Sequence, residues 1–256
     1  MNMRPIARTV TTGLLLATVT ATFAEPLPTD DRIKTGKLAN GVTWMFRRHD
    51  NPPDKMALMV RVKTGSLNET EAQRGLAHFM EHLCFNGTEN FPPGELIKYF
   101  ESIGMEFGAD LNAFTSFDQT VYMLFLPDTE EAGISKGLMT LSDYVFRALL
   151  VPEEIDKERG VVLAEWRTGQ NAQQRVRDKE FKQVLAGSRF AERLPIGLPE
   201  VIEHAPYSEF EKYYRTWYRP ELMTVMVVGD APLERVLPSL EKWFGQYTPT
   251  MPAGQS

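Results

Sequence analysis

The segment "GLAHFMEHLCFNGT" (Gly75 to Thr88) sets two of the chain's four histidines, His78 and His82, four residues apart, with Glu81 directly before the second. On a helix, that spacing stacks the two imidazoles on one face. Glu81 falls within the same arc of roughly 100°. Two neutral imidazoles and a carboxylate in one arc are what a catalytic zinc ion (Zn2+) and its general base require. Such a site takes three protein ligands and leaves one position open, so a third donor must come from elsewhere. Cys84 lies about 200° around the helix from His82 and reads as a small buried apolar residue pointing away. His49 and His204 read as solvated loop residues. The stretch "DKERGVVLAEW" is better placed, because Glu158 and Glu165 stand seven residues apart, nearly two helical turns. Both carboxylates then share one helix face. One could bind the metal while the other holds a ligand histidine through its second ring nitrogen. Val161, Val162 and Leu163 between them imply that part of this helix is buried.

The elements that must position these groups are legible in outline. "GKLANGVTWMFRRHD" carries Asn40-Gly41 between strand-forming runs and predicts a hairpin. "KMALMVRVKTGS", apolar on both faces, predicts an interior strand. The histidine helix is expected to begin near Arg74 and to end at Asn86-Gly87. Pro93 and Gly94 open a short helix ending at Gly104. "MEFGADLNAFT" and "DQTVYMLFLP" predict an antiparallel pair of strands. A capped amphipathic helix follows from Asp128, and Pro152 opens another that could run to Leu185 despite Gly160 and Gly169. Helix "SEFEKYYRTWY", strand "LMTVMVVGD" and helix "PLERVLPSLEKWFGQY" complete the pattern. Strand meanders alternating with helices imply an α+β fold, with a mixed, mainly antiparallel sheet and helices packed on one face.

The chain has 256 residues and a net charge of −6. Residues 1–24 combine Arg4 and Arg8, an apolar run and a small-residue stop at Ala24, the three parts of a secretory signal peptide. An N-terminal membrane anchor is the alternative, although the run of about 15 residues is short for a bilayer span. Export to the periplasm is the expectation, with no membrane span after removal of the leader. Residues 25–250 then form one domain, and 251–256 have the composition of a frayed tail. The acidic balance argues against a nucleic-acid partner. Cys84 is the sole cysteine, so no intrachain disulfide can form.

"GLAHFMEHLCFNGT", "NAFTS" (Asn112 to Ser116), "ERGVVLAE" and "WYRPELMTVMVVGD", in that order, resemble the pitrilysin/insulinase family of zinc peptidases. These enzymes carry the inverted motif His-x-x-Glu-His. The resemblance runs from about Gly36 to Tyr247 and is closest to exported bacterial members. It implies His78 and His82 as zinc ligands, Glu81 as general base and Glu165 as third ligand, with Glu158 supporting a histidine. It also implies that a substrate peptide adds to the strand carrying Asn112, Ala113 and Phe114. Active members enclose their substrate between homologous halves, whereas one unit of the pattern is found here. A second half, as a separate subunit or a second copy, is therefore expected as partner. The alternative is a non-catalytic assembly subunit or a truncated half that needs such a unit for activity.

Overall fold

The computed structural model describes residues 30–248. The leader proposed for residues 1–24 and the tail 251–256 lie outside the described residues. Six strands form one sheet in the order β1-β2-β6-β3-β5-β4: β1 (Lys34–Lys37), β2 (Thr43–Arg48), β3 (Met56–Val62), β4 (Leu111–Thr115), β5 (Thr120–Leu126) and β6 (Met223–Gly229). All neighbours are antiparallel except β2 and β6, which run parallel. The β1–β2 turn contains Asn40-Gly41, with Gly41 in the left-handed region at φ +102°. The Asn40 amide ties this turn to the carbonyls of Phe244 and Tyr247 at 2.7 and 2.9 Å.

The strand β3 is interior, as its apolar composition predicts, and its side chains alternate. Met56, Leu58, Val60 and Val62 are buried under helices. Ala57, Met59 and Arg61 stand half-buried on the opposite face, where Phe125 and Val228 are exposed. The helices thus cover one face. Among them, α3 (Glu131–Phe146) lies on β3 and β5 and packs against α8 (Leu233–Phe244). Gly137 permits this close approach, since a Cβ there would sit 2.7 Å from Leu58 Cδ1. The remaining helices are α1 (Leu76–Leu83), α2 (Glu95–Ser102), α4 (Pro152–Gly169), α5 (Ala172–Val184), α6 (Pro199–His204) and α7 (Tyr207–Trp217).

Several sequence expectations are corrected. The long helix expected from Pro152 to Leu185 is two helices. It stops at Gly169, and the Asn171 side chain accepts the Gln174 N–H at 2.9 Å to start α5. An Asn acceptor at this point competes with continued helix and caps a new one. The strand expected over "MEFGADLNAFT" forms only from Leu111. Before it, Asp110 accepts the Glu106 N–H at 2.9 Å and Gly108 takes φ +90°, which closes a turn. The histidine helix begins at Leu76, after left-handed Gly75, and ends at Leu83. His204 is solvated as expected, but it ends the short helix α6.

Candidate metal centre

Helix α1 buries Leu76, Ala77, Phe79, Met80 and Leu83 and leaves His78 and His82 on its remaining stripe. Phe79 meets Phe210 of α7 edge-on at 4.8 Å, which fixes the roll of α1 about its axis. Cys84 is fully buried, between the Tyr144 carbonyl and the Tyr122 hydroxyl, each at 3.2 Å, and so does point away from the histidines. Burial pushes its thiol up to about 12, which leaves it inert near neutrality.

Helix α4 packs against α1. Its buried anchors Ile155 and Val162 turn the Glu158–Glu165 face toward the histidines, while Val161 is half exposed. Glu165 Oε2 lies 3.6 Å from His78 Nε2 and 3.4 Å from His82 Nε2, and the two Nε2 atoms are 3.3 Å apart. One donor atom from each of these residues falls within 4.8 Å of the others, a grouping able to hold a metal ion. Glu158 does something different. Its Oε1 is 2.8 Å from His82 Nδ1, and its Oε2 accepts the Asn86 amide at 2.6 Å. Glu158 thereby holds the imidazole so that Nε2 faces Glu165 and His78. The choice that the spacing left open between the two glutamates is thus favoured in one direction by geometry. Asn86, named in the sequence only as a helix-ending residue, proves to be a support of this group.

The electrostatics suit the same division. Burial, with help from His82, lowers the His78 pKa to about 4, so its ring is neutral near pH 7. Its Nδ1 is buried without a hydrogen-bond partner among the described residues. Burial also works to lower the His82 pKa, but the Glu158 hydrogen bond and the surrounding carboxylates outweigh it and raise the value. For Glu158, the bonds from His82 and Asn86 overcome burial and hold its carboxyl low. A neutral imidazole at His78, a second imidazole at His82 backed by the Glu158 carboxylate, and the Glu165 carboxylate fit zinc in donor type and number.

Glu81 is buried, and burial raises its pKa against the hydrogen bond from Thr115 and the charge of His82. Thr115 Oγ1 donates to Glu81 Oε2 at 2.5 Å. Thr115 lies inside the "NAFTS" run, where the motif by itself gives it no role. The period-two alternation of β4 was the available signal, since Leu111, Ala113 and Thr115 share the face toward α1. Asn112 and Phe114 point the other way and are exposed. The strand sits at the end of the sheet beside β5, and its outer edge is bridged at Leu111 by Phe107. The Ala113 N–H is met by the Asn112 side-chain oxygen at 2.8 Å, and the Asn112 amide donates to the Gly108 carbonyl at 3.0 Å.

Sequence comparison places this geometry in a known group. The profile described as Insulinase (Peptidase family M16) matches residues 45–204, and that described as Peptidase M16 inactive domain matches 205–255. The second match contributes β6, which lies inside the sheet between β2 and β3, so both stretches build one fold. The chain is 38% identical over 215 residues to the probable zinc protease PqqL of Escherichia coli, covering 84% of this chain and 23% of the relative. It is 39% identical over 207 residues to the zinc protease PQQL-like of Arabidopsis thaliana, covering 81% and 22%. The chain therefore spans under a quarter of the length of these curated relatives. The crystal structure of the first half of the periplasmic protease PqqL from Escherichia coli superposes with a TM-score of 0.85 at 36% identity, covering 90% of this chain and 49% of that one. Inverted histidine motif, sheet topology and sequence match agree, and the chain belongs to the insulinase family of peptidases, M16.

Proposed function

We propose that this chain is the metal-bearing unit of a zinc endopeptidase acting on extended or unfolded peptides. The observation that carries this reading is the convergence of His78, His82 and Glu165 within 4.8 Å, with Glu81 one residue from His82. His78, His82 and Glu165 would hold the ion, and Glu158 would hold His82. When bound, zinc supplies a Lewis acid and lowers the pKa of a water toward about 7. Glu81, as a carboxylate, takes a proton from the attacking water and returns it to the leaving amine. Burial favours the protonated form that the second step needs, and the Thr115 hydroxyl keeps the carboxylate accessible for the first.

The outer edge of β4 supports an extended substrate, held by main-chain pairing at Ala113 with Asn112 and Phe114 alongside. Because Thr115 of the same strand touches Glu81, a peptide paired there passes the base. A second homologous unit fits the lengths of the relatives: PqqL's first half alone is about twice the part this chain covers. That PqqL is periplasmic, together with the leader expected in residues 1–24, supports export.

The test is zinc content and cleavage of a quenched library of unstructured peptides, with the wild type beside Glu81→Gln. Stoichiometric zinc in both, with cleavage reduced at least about 100-fold in the variant, is expected. Zinc in both without cleavage in either favours the second reading, a half that needs its partner unit. Absence of zinc binding by the wild type overturns the site.

A further inference from the structure

One buried acid stands outside the cluster described above yet touches the helix that carries it. Glu69 is 1% exposed and lies between two short 3₁₀ turns, Ser66–Asn68 and Glu71–Gln73. Its main chain is tightly held. The Glu69 carbonyl accepts from Arg189 at 2.6 Å and from Arg193 at 3.4 Å. Arg193 is itself buried and paired with Glu71, and Gln73 is tied to Glu209 of α7 at 2.8 Å. From this fixed position the Glu69 side chain reaches the start of α1, where Oε1 accepts the Ala77 N–H at 2.8 Å.

The first turn of a helix has N–H groups with no partner inside the helix, and a side chain at the N-cap usually meets one of them. Here the N-cap is Gly75, which has no side chain and sits at φ +106°. It cannot be replaced by a capping residue without cost, because a Cβ there would be strained and would lie 3.1 Å from the Gly197 Cα. The acceptor is instead delivered from eight residues upstream. The N–H it meets belongs to Ala77, the residue before His78. The other oxygen, Oε2, is buried with no hydrogen-bond partner among the described residues. Burial raises the Glu69 carboxyl to about 8 against the pull of the Ala77 and Gly75 N–H groups and the nearby arginines. Near neutrality it therefore works chiefly as an acceptor of fixed position rather than as a full charge.

We propose that Glu69 is a positioning residue for the metal centre: its buried carboxyl grips the Ala77 N–H and thereby sets where His78 stands beside His82 and Glu165. This rests on the reading of that cluster as a zinc site. Metal sites tolerate only about 0.5 Å of ligand displacement, and the first turn of a helix frays when its N–H groups lose their acceptors.

The experiment uses the full chain, loaded with zinc, and measures affinity by chelator competition together with the visible spectrum of the cobalt-substituted protein. Glu69→Ala should weaken zinc binding at least about tenfold and shift the cobalt bands, as changes in a ligand's support do. Glu69→Gln keeps an acceptor of the same reach and should stay within about threefold of wild type. Leu240→Ala, in the core of α8, should lower Tm without moving either metal readout. Wild-type affinity and spectrum in Glu69→Ala would overturn the proposal, as would an equal loss in Leu240→Ala. If Glu69→Ala does not fold, Glu69→Asp decides: it keeps the carboxyl but withdraws it by one methylene, and binding zinc as well as Glu69→Gln would overturn the proposal. A wild type that binds no zinc would overturn the site itself, and Glu69's role with it.

Discussion

At the scale of single residues, the centre works by giving chemically similar groups different surroundings. Glu158 and Glu165 lie on one helix, but Glu158 has two hydrogen-bond donors and Glu165 faces two ring nitrogens. Glu158→Gln keeps an acceptor for His82 but removes the charge that raises its basicity. A loss of zinc affinity of about 10- to 100-fold is expected, read by chelator competition. Glu81 is tuned by the Thr115 hydroxyl together with the charge of His82. The Thr115 bond lowers its pKa against burial, so Thr115→Val should raise it further. If Glu81 is the base proposed above, its ionised form is then lost at higher pH as the solution is acidified. The acid limb of the pH profile of kcat/KM should move upward, with zinc content unchanged.

At the scale of elements, α1 and β4 divide the work. Helix α1 carries two candidate ligands and the proposed base because four-residue spacing and its buried stripe leave the histidines on one side. The strand β4 lies at the end of the sheet, with its outer edge bridged at Leu111 by Phe107, and its inward side chain at Thr115 reaches Glu81. The Ala113 N–H is bonded to the Asn112 side chain rather than to β5, so the ladder does not depend on it. Ala113→Pro should therefore leave zinc binding and Tm nearly unchanged while raising KM for unstructured peptides, since a proline is tolerated on an edge strand but cannot donate. Unchanged KM would argue against pairing at this edge.

At the scale of the whole molecule, the candidate ligands come from two helices joined through their packing rather than by nearby sequence. His82 and Glu165 are separated in sequence by the whole of α2, β4, β5 and α3. An ion bridging α1 and α4 would tie these elements together in the folded state only. Zinc at about 100 times its Kd should then add roughly 2.7 kcal/mol of stability, and chelation should lower Tm correspondingly. His78→Ala should abolish that zinc-dependent shift, which calorimetry with and without added zinc can check.

Much of this is legible in the amino-acid sequence alone, because local rules govern it. Helical periodicity puts His78, Glu81 and His82 in one arc, and seven-residue spacing puts Glu158 and Glu165 on one face. Apolar residues on both faces of "KMALMVRV" mark an interior strand, and Asn40-Gly41 marks a hairpin. What periodicity could not decide was which glutamate faces the two Nε2 atoms, since an offset of only about 20° on a helix leaves both equivalent. The packing of Ile155 and Val162 and the hydrogen bond from Asn86 made that distinction. Nor could it anticipate that Asn171 would split a helix, that Thr115 would meet Glu81 or that Glu69 would meet Ala77. Each depends on a contact between segments, or on a side chain competing with the backbone, and only the folded chain brings those groups within hydrogen-bonding distance.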